Sequence, residues 1–130
     1  MIEVGLDCYQ TFQPEIYDVE AVKREFGRDL AFWGGISTQQ LLPYATPERV
    51  KEETRRMIDV MGKEGGYIVA PTHAVPADVP PENILAMLEL AGIPFYSKDR
   101  DERWPLIVAG GPCACNCEPL ADFLDLVFLG

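Results

Sequence analysis

The sequence predicts an α/β fold, and three observations carry that prediction. Short apolar runs alternate with stretches of helical period, the helical stretches open on capping or proline signals, and glycines close several of them. Strand–helix–strand order of this kind favours parallel strands joined by right-handed crossovers. Alternation alone does not separate a closed barrel from an open sheet.

The first run, "EVGLDCYQTF" (3–12), carries Val4, Leu6, Cys8 and Phe12 at strand spacing, and Pro14 ends it. Cys8 reads as a core thiol there. Asp18 is the expected N-cap of "VEAVKREF", whose Val19, Val22 and Phe26 share a face, with Gly27 just past its end. "DLAFWGGIS" (29–37) is nearly all apolar, as in a strand covered on both faces. Thr46-Pro47-Glu48 then joins a hydroxyl cap, a first-turn proline and a first-turn acid, so a helix is expected over 47–61. Val50, Met57, Ile58 and Met61 would face inward, and Gly62 stops the run. "GYIVAPTH" (66–73) is a third strand, and Pro81 opens a helix over 82–91 with Ile84, Leu85 and Leu88 inward. Beyond it, "YSKDRDERW" (96–104) reads as a solvated loop, "PLIVAGG" as a strand, "EPLADFLD" as a short helix and "LVFLG" as a last strand.

Charge narrows the partners. A net charge of −10 and a pI near 4.4 repel nucleic-acid backbones and anionic membranes, so neither is expected to bind. No apolar run approaches the roughly 20 residues of a spanning helix. The start "MIEVGLD" lacks the basic and apolar regions of a signal peptide, and four cysteines without one point to free thiols in a reducing cytoplasm.

The only histidine, His73, lies at the C-terminal end of the third predicted strand, the end at which parallel α/β folds bind ligands. Its imidazole could hydrogen-bond a carboxylate, shuttle a proton or ligate a metal, or it could merely cap the turn toward Pro76. Asp7, Gln10 and Gln13 lie at or after the first strand and could face the same end, although a lone acid says little without a partner. Gly34-Gly35 would either make a tight turn or let backbone approach a ligand. No G-x-G-x-x-G fingerprint occurs there or at 110–116. The charges on the outer face of 47–61 read as a solvated surface. Cys113, Cys115 and Cys117 are too closely spaced for a structural zinc site. Extended backbone would turn all three thiols to one side, a soft-metal arrangement, but a strand-to-helix turn explains them as well.

Residues 4–89 resemble the C-terminal part of the uroporphyrinogen decarboxylase superfamily, which also holds corrinoid-dependent methyltransferases. The stretches that carry it are "GLD…FQPE", "VKREFGRDLAFWGGISTQQLLPYATPERVKEETRR" and "GGYIVAPTHAVPADVPPENILAM". The resemblance implies a partial (β/α)8 barrel, its last three βα units, with about residues 1–91 as the segment. It also implies a tetrapyrrole substrate, with His73 near its carboxylates and Gln13, Gly34, Gly35, Ile36 and Ser37 around the barrel mouth, and no cofactor. In the methyltransferase branch a zinc-binding cysteine stands where this chain has His73, so zinc is the weaker alternative. The family's arginine-rich loop and strand-end aspartate would lie upstream of Met1, so activity by this chain alone is not expected.

Residues 88–130, through "AGGPCACNCEPLADFLD", are similar to the cobalamin-binding region of certain radical S-adenosylmethionine proteins. That implies a partial Rossmann-like βαβ piece over 92–130, in which Gly110 and Gly111 would approach a corrinoid. It also makes Cys113 part of a turn rather than a metal site. Cys115 and Cys117 stand where an aromatic and a proline are expected, and the D-x-H-x-x-G cobalt-ligand motif is absent. The helix around 84–94 therefore reads as a seam, either a genuine gene fusion or a join made in sequence assembly. Three barrel units leave two strand edges unpaired, so self-association through them is an expectation. A joint five-stranded sheet is the other way to bury a core.

Overall fold

A strand buries its backbone only by pairing, and here each of the first three apolar runs finds a parallel neighbour. A computed structural model describes residues 2–90, 94, 96–104, 106–110 and 118–128, and the chain divides into two units, Met1–Leu90 and Ala91–Gly130. The first unit holds β1 (Cys8–Phe12), α1 (Val19–Phe26), β2 (Ala31–Ile36), α2 (Leu41–Tyr44), α3 (Pro47–Met61), β3 (Tyr67–Pro71) and α4 (Pro81–Leu90). Its sheet runs β1-β2-β3, all parallel.

The capping signals act as the sequence predicts. The Asp18 carboxylate accepts from the Ala21 amide at 3.0 Å and starts α1. Thr46 Oγ1 accepts from the Arg49 amide at 3.4 Å, Pro47 takes the first turn of α3, and Gly62 closes it. Val50, Met57 and Met61 on α3 are fully buried, with Phe12, Phe32, Ile36 and Leu42 around them. These apolar side chains form the core against which the strand ends are set.

Four expectations are corrected. The first strand begins only at Cys8: Ile2–Val4 is a 3-10 turn closed by Gly5 N–H donating to Ile2 C=O, and Val4 is 86% exposed. Leu6 alone of that stretch packs on the core. On α4 the buried residues are Asn83 and Ala86 while Leu85 is exposed, because the Asn83 amide donates to Leu42 and Ala45 carbonyls and so fixes the rotation of the helix. β2 is not covered on both faces within this unit. Phe32, opposite Tyr9 and Tyr67, is buried, but the next row, Gln10–Trp33–Ile68, is open, with Trp33 41% and Ile68 48% exposed. Last, in place of a joint five-stranded sheet, among the described residues β4 (Val108–Gly110) and β5 (Leu126–Phe128) pair in parallel with each other.

The second unit corrects the loop at 96–104 as well. Ser97–Asp99 is a 3-10 turn, and the Arg100 side chain is only 4% exposed. Its guanidinium donates to both Asp125 carboxylate oxygens at 2.9–3.2 Å, to Pro94 C=O at 2.8 Å and to Phe123 C=O at 2.9 Å. Asp125 also accepts from the Ile107 amide at 2.8 Å. Burial alone would raise the Asp125 carboxyl, but those donors and the Arg100 charge outweigh it and hold it below the ordinary carboxylate range. Residues 118–123 form a 3-10 rather than an α turn.

Candidate functional site

Parallel strands place three connections at one end of the sheet: Gln13–Tyr17 after β1, Ser37–Gln40 after β2 and Thr72–Pro80 after β3. Hydrogen bonds tie them together. Ser37 Oγ donates to the Glu15 carboxylate and accepts from the Gln40 amide at 2.9 Å. Thr72 Oγ1 accepts from the Thr38 amide at 3.2 Å and shares a hydrogen with the Thr38 hydroxyl at 3.0 Å. Thr38 and Thr72 are 5% and 2% exposed, so these polar contacts are made out of water.

His73 follows Thr72 directly and is exposed, and its ring makes no hydrogen bond to any described residue. Gln13 is half-buried, and its carbonyl accepts from Ile16 N–H at 3.4 Å, capping a 3-10 turn. Asp7 and Gln10 are exposed, but both precede the end of β1, away from its loop.

The glycine pair lies inside β2 rather than after it. Gly34 and Gly35 have φ of +129° and +92°. A Cβ on Gly34 would sit 2.9 Å from Phe12 N, and one on Gly35 would sit 2.5 Å from Tyr67 Oη and 2.7 Å from Met57 Cε. The neighbouring strands and α3 therefore account for both glycines. The Tyr67 hydroxyl donates to Gly34 C=O at 2.9 Å, and burial pushes its phenol well above the ordinary range, with the nearby Arg56 charge acting the other way.

A polar cleft of about 270 Å³ opens beside these loops, lined by Glu15, Ser37, Gln40, Arg49, Glu53 and Arg56 among others; neither His73 nor Gln13 lines it. The sequence reading gave these arginines to a solvated surface. Their i,i+3 and i,i+4 spacing with Glu53, whose side chain is 17% exposed, is no different from that of any solvated helix face. Arg56 donates to Glu53 Oε1 at 2.6 and 2.9 Å, and Arg49 reaches Glu52 at 2.6 Å and Glu53 at 3.5 Å. Hydrogen bonds to Glu53 and to Glu52 raise the respective guanidinium values. The cleft's arginines thus already hold carboxylates. Between β1 and α1 an apolar groove of about 390 Å³, lined by Tyr9, Phe12, Tyr17, Val22 and Phe26, offers packing surface.

In the second unit Gly110 ends β4, and a Cβ there would lie 3.2 Å from Phe128 Cβ, so β5 occupies the space beside it. Gly111, Cys113, Cys115 and Cys117 lie outside the described residues, while Cys8 is a half-buried free thiol in β1. Among the described residues no three His, Cys, Asp or Glu side chains gather as a metal ion requires, and no helix is long and apolar enough to cross a membrane.

Comparison with known proteins decides the family. A family model described as uroporphyrinogen decarboxylase matches residues 3–92. The chain belongs to the uroporphyrinogen decarboxylase family. It is 33% identical over 66 residues to the uroporphyrinogen decarboxylase of Psychromonas ingrahamii, covering 51% of this chain and 18% of that one. With the enzyme of Vesicomyosocius okutanii it shares 30% over 86 residues, 66% of this chain and 22% of that one. With the enzyme of Serratia proteamaculans it shares 32% over 72 residues, covering 55% and 20%. The match thus spans about a fifth of the length of these curated relatives. A second family model, radical SAM proteins, N-terminal, matches residues 74–130, so both family models include α4.

Proposed function

We propose that residues 3–92 supply the last three βα units of a decarboxylase-type (β/α)8 barrel, in which His73 orients a carboxylate of a tetrapyrrole. The observation that carries this reading is His73 itself. It is exposed, free of hydrogen bonds to described residues, and set at the C-terminal end of a parallel strand within the family match. An imidazole N–H there can donate to a carboxylate oxygen, with charge assistance when the ring is protonated. The open row Gln10–Trp33–Ile68 fits a sheet face that would look into a barrel lumen, and β1 and β3 are the edges at which further strands or a second copy would add. The reading needs no cofactor. Because the match covers about a fifth of the relatives, we propose ligand binding rather than turnover for this chain by itself. Titration with coproporphyrin, followed by its absorbance and fluorescence, tests the proposal. A saturable shift that His73→Ala abolishes supports it, and a wild-type chain that gives no shift ends it.

The 74–130 match favours a second reading, corrinoid binding at Gly110 and Gly111. The described residues do not fit that group: Phe128 takes the space beside Gly110, and the chain's one histidine belongs to the first unit. A saturable cobalamin absorbance change lost in Gly111→Val, without any response to coproporphyrin, would replace the first reading by this one.

A further inference from the structure

We infer that Thr72 and Asn83 form a two-point brace that fixes the His73 loop, with both points fastened to the single segment 38–45. The inference rests on the reading of His73 as the carboxylate-orienting group. His73 has no hydrogen bond of its own to a described residue, so its place must be set by the residues around it. At the near end, the Thr72 amide donates to Ile36 C=O at 2.8 Å, and the Thr72 hydroxyl is bonded to the Thr38 amide and hydroxyl at 3.2 and 3.0 Å. At the far end, Asn83, 1% exposed, donates from Nδ2 to Leu42 C=O at 2.8 Å and to Ala45 C=O at 2.9 Å. Between the two, Val79 is 8% exposed in the core and its amide donates to Pro76 C=O at 3.2 Å.

Packing alone would be served by valine at 72 and leucine at 83. Instead a buried hydroxyl and a buried amide tie the start of the β3–α4 connection and the first turn of α4 to the 38–45 segment, across 34 to 41 residues of sequence. Thr72 and Asn83 are positioning residues, and neither is placed against the ligand.

His73 is the chain's only histidine, so its ring resonances are an unambiguous probe of the loop. In the full chain, Thr72→Val is expected to shift or broaden those resonances and to speed exchange of the Val79 amide, which donates to Pro76 C=O inside the loop, about fivefold or more, as loss of one buried hydrogen bond implies. Thr72→Ser, which keeps the hydroxyl, restores both. The coproporphyrin dissociation constant should rise in Thr72→Val by a similar factor and recover in Thr72→Ser. Thr38→Val removes the same hydroxyl pair from the other side, and the double variant should match Thr72→Val rather than add to it. Should Thr72→Val not fold, Thr38→Val against wild type carries the test. Wild-type exchange of the Val79 amide in both valine variants, or additive effects in the double variant, would overturn the brace. If wild type binds no coproporphyrin, the carboxylate reading fails, while the exchange and ring signals still decide the brace.

Discussion

The two units are held together by opposite means. In Met1–Leu90 the weight falls on apolar contact: Phe12, Phe32, Ile36, Leu42, Val50, Met57 and Met61 are at most 2% exposed and mutually packed. In Ala91–Gly130 no described hydrophobic side chain reaches that burial; two three-residue strands pair with each other, and beside them the Arg100–Asp125 pair gathers the carbonyls of Pro94 and Phe123 and the Ile107 amide. A core of hydrocarbon loses strength gradually as methylenes are removed. An ion pair whose cation is buried depends instead on both partners, because either one left alone is charged and unpaired.

The deepest break should come from the first unit's aromatic centre. Phe32, 2% exposed, meets Phe12 edge-on at 5.2 Å between ring centroids, and Phe32→Ala is expected to cost about 4 kcal/mol. The chain's two tryptophans separate the readouts: with Trp104→Phe, urea unfolding followed at Trp33 reports the first unit, and with Trp33→Phe, Trp104 reports the second. A large fall in the Trp33 midpoint with little change at Trp104 upholds the contrast. Equal shifts would mean that the units unfold as one.

Next in size is Arg100→Met, expected to cost about 2 kcal/mol through the loss of its charge-assisted hydrogen bonds to Asp125 and to the Pro94 and Phe123 carbonyls. Here the Trp104 transition should move and the Trp33 transition should hold. Replacing both partners together, as Arg100→Met with Asp125→Leu, should recover much of the loss, since the charge is then gone from both sides.

Opposite ends of the pH scale should also part the units. Asp125 has its folded value depressed, so its contribution is present above the ordinary carboxylate value of about 4 and is lost as pH falls through the folded value. Tyr67 has its folded value raised, so the first unit keeps that contribution below the ordinary phenol value of about 10 and loses it as pH rises further. Acid should therefore weaken the Trp104 signal first, and alkali the Trp33 signal. Asp125→Asn should flatten the acid limb.

What could be read from the sequence follows from the range of the forces involved. Thr46-Pro47-Glu48 and Asp18 give helix starts at the right residues because capping is settled within four positions. The parallel order of β1 to β3 follows from the alternation of elements. Arg100 was misjudged because its partner is 25 residues away, and in "YSKDRDERW" nothing local distinguishes it from Arg103, whose partner Asp101 is two residues off and exposed. Asn83 was missed for the same reason, since its carbonyl partners lie about 40 residues upstream. The cleft at Arg49, Glu53 and Arg56 was passed over because i,i+3 and i,i+4 charges look alike on any exposed helix. His73 could be placed at a strand end, but not its freedom from partners, which depends on what the other loops do.

The smallest expected effects lie side by side and sharpen the contrast most finely. His73 is exposed and bonded to no described residue, so His73→Ala should change stability by less than about 0.5 kcal/mol. Thr72, one residue earlier, is buried with its hydroxyl paired, so Thr72→Val should cost about 1 kcal/mol while keeping the side chain's shape. Urea midpoints at Trp33 measure both. If His73→Ala cost as much as Thr72→Val, the histidine would be supporting the loop rather than being presented by it. A neutral His73→Ala beside a costly Thr72→Val would instead separate the residue that is held from the residue that holds it.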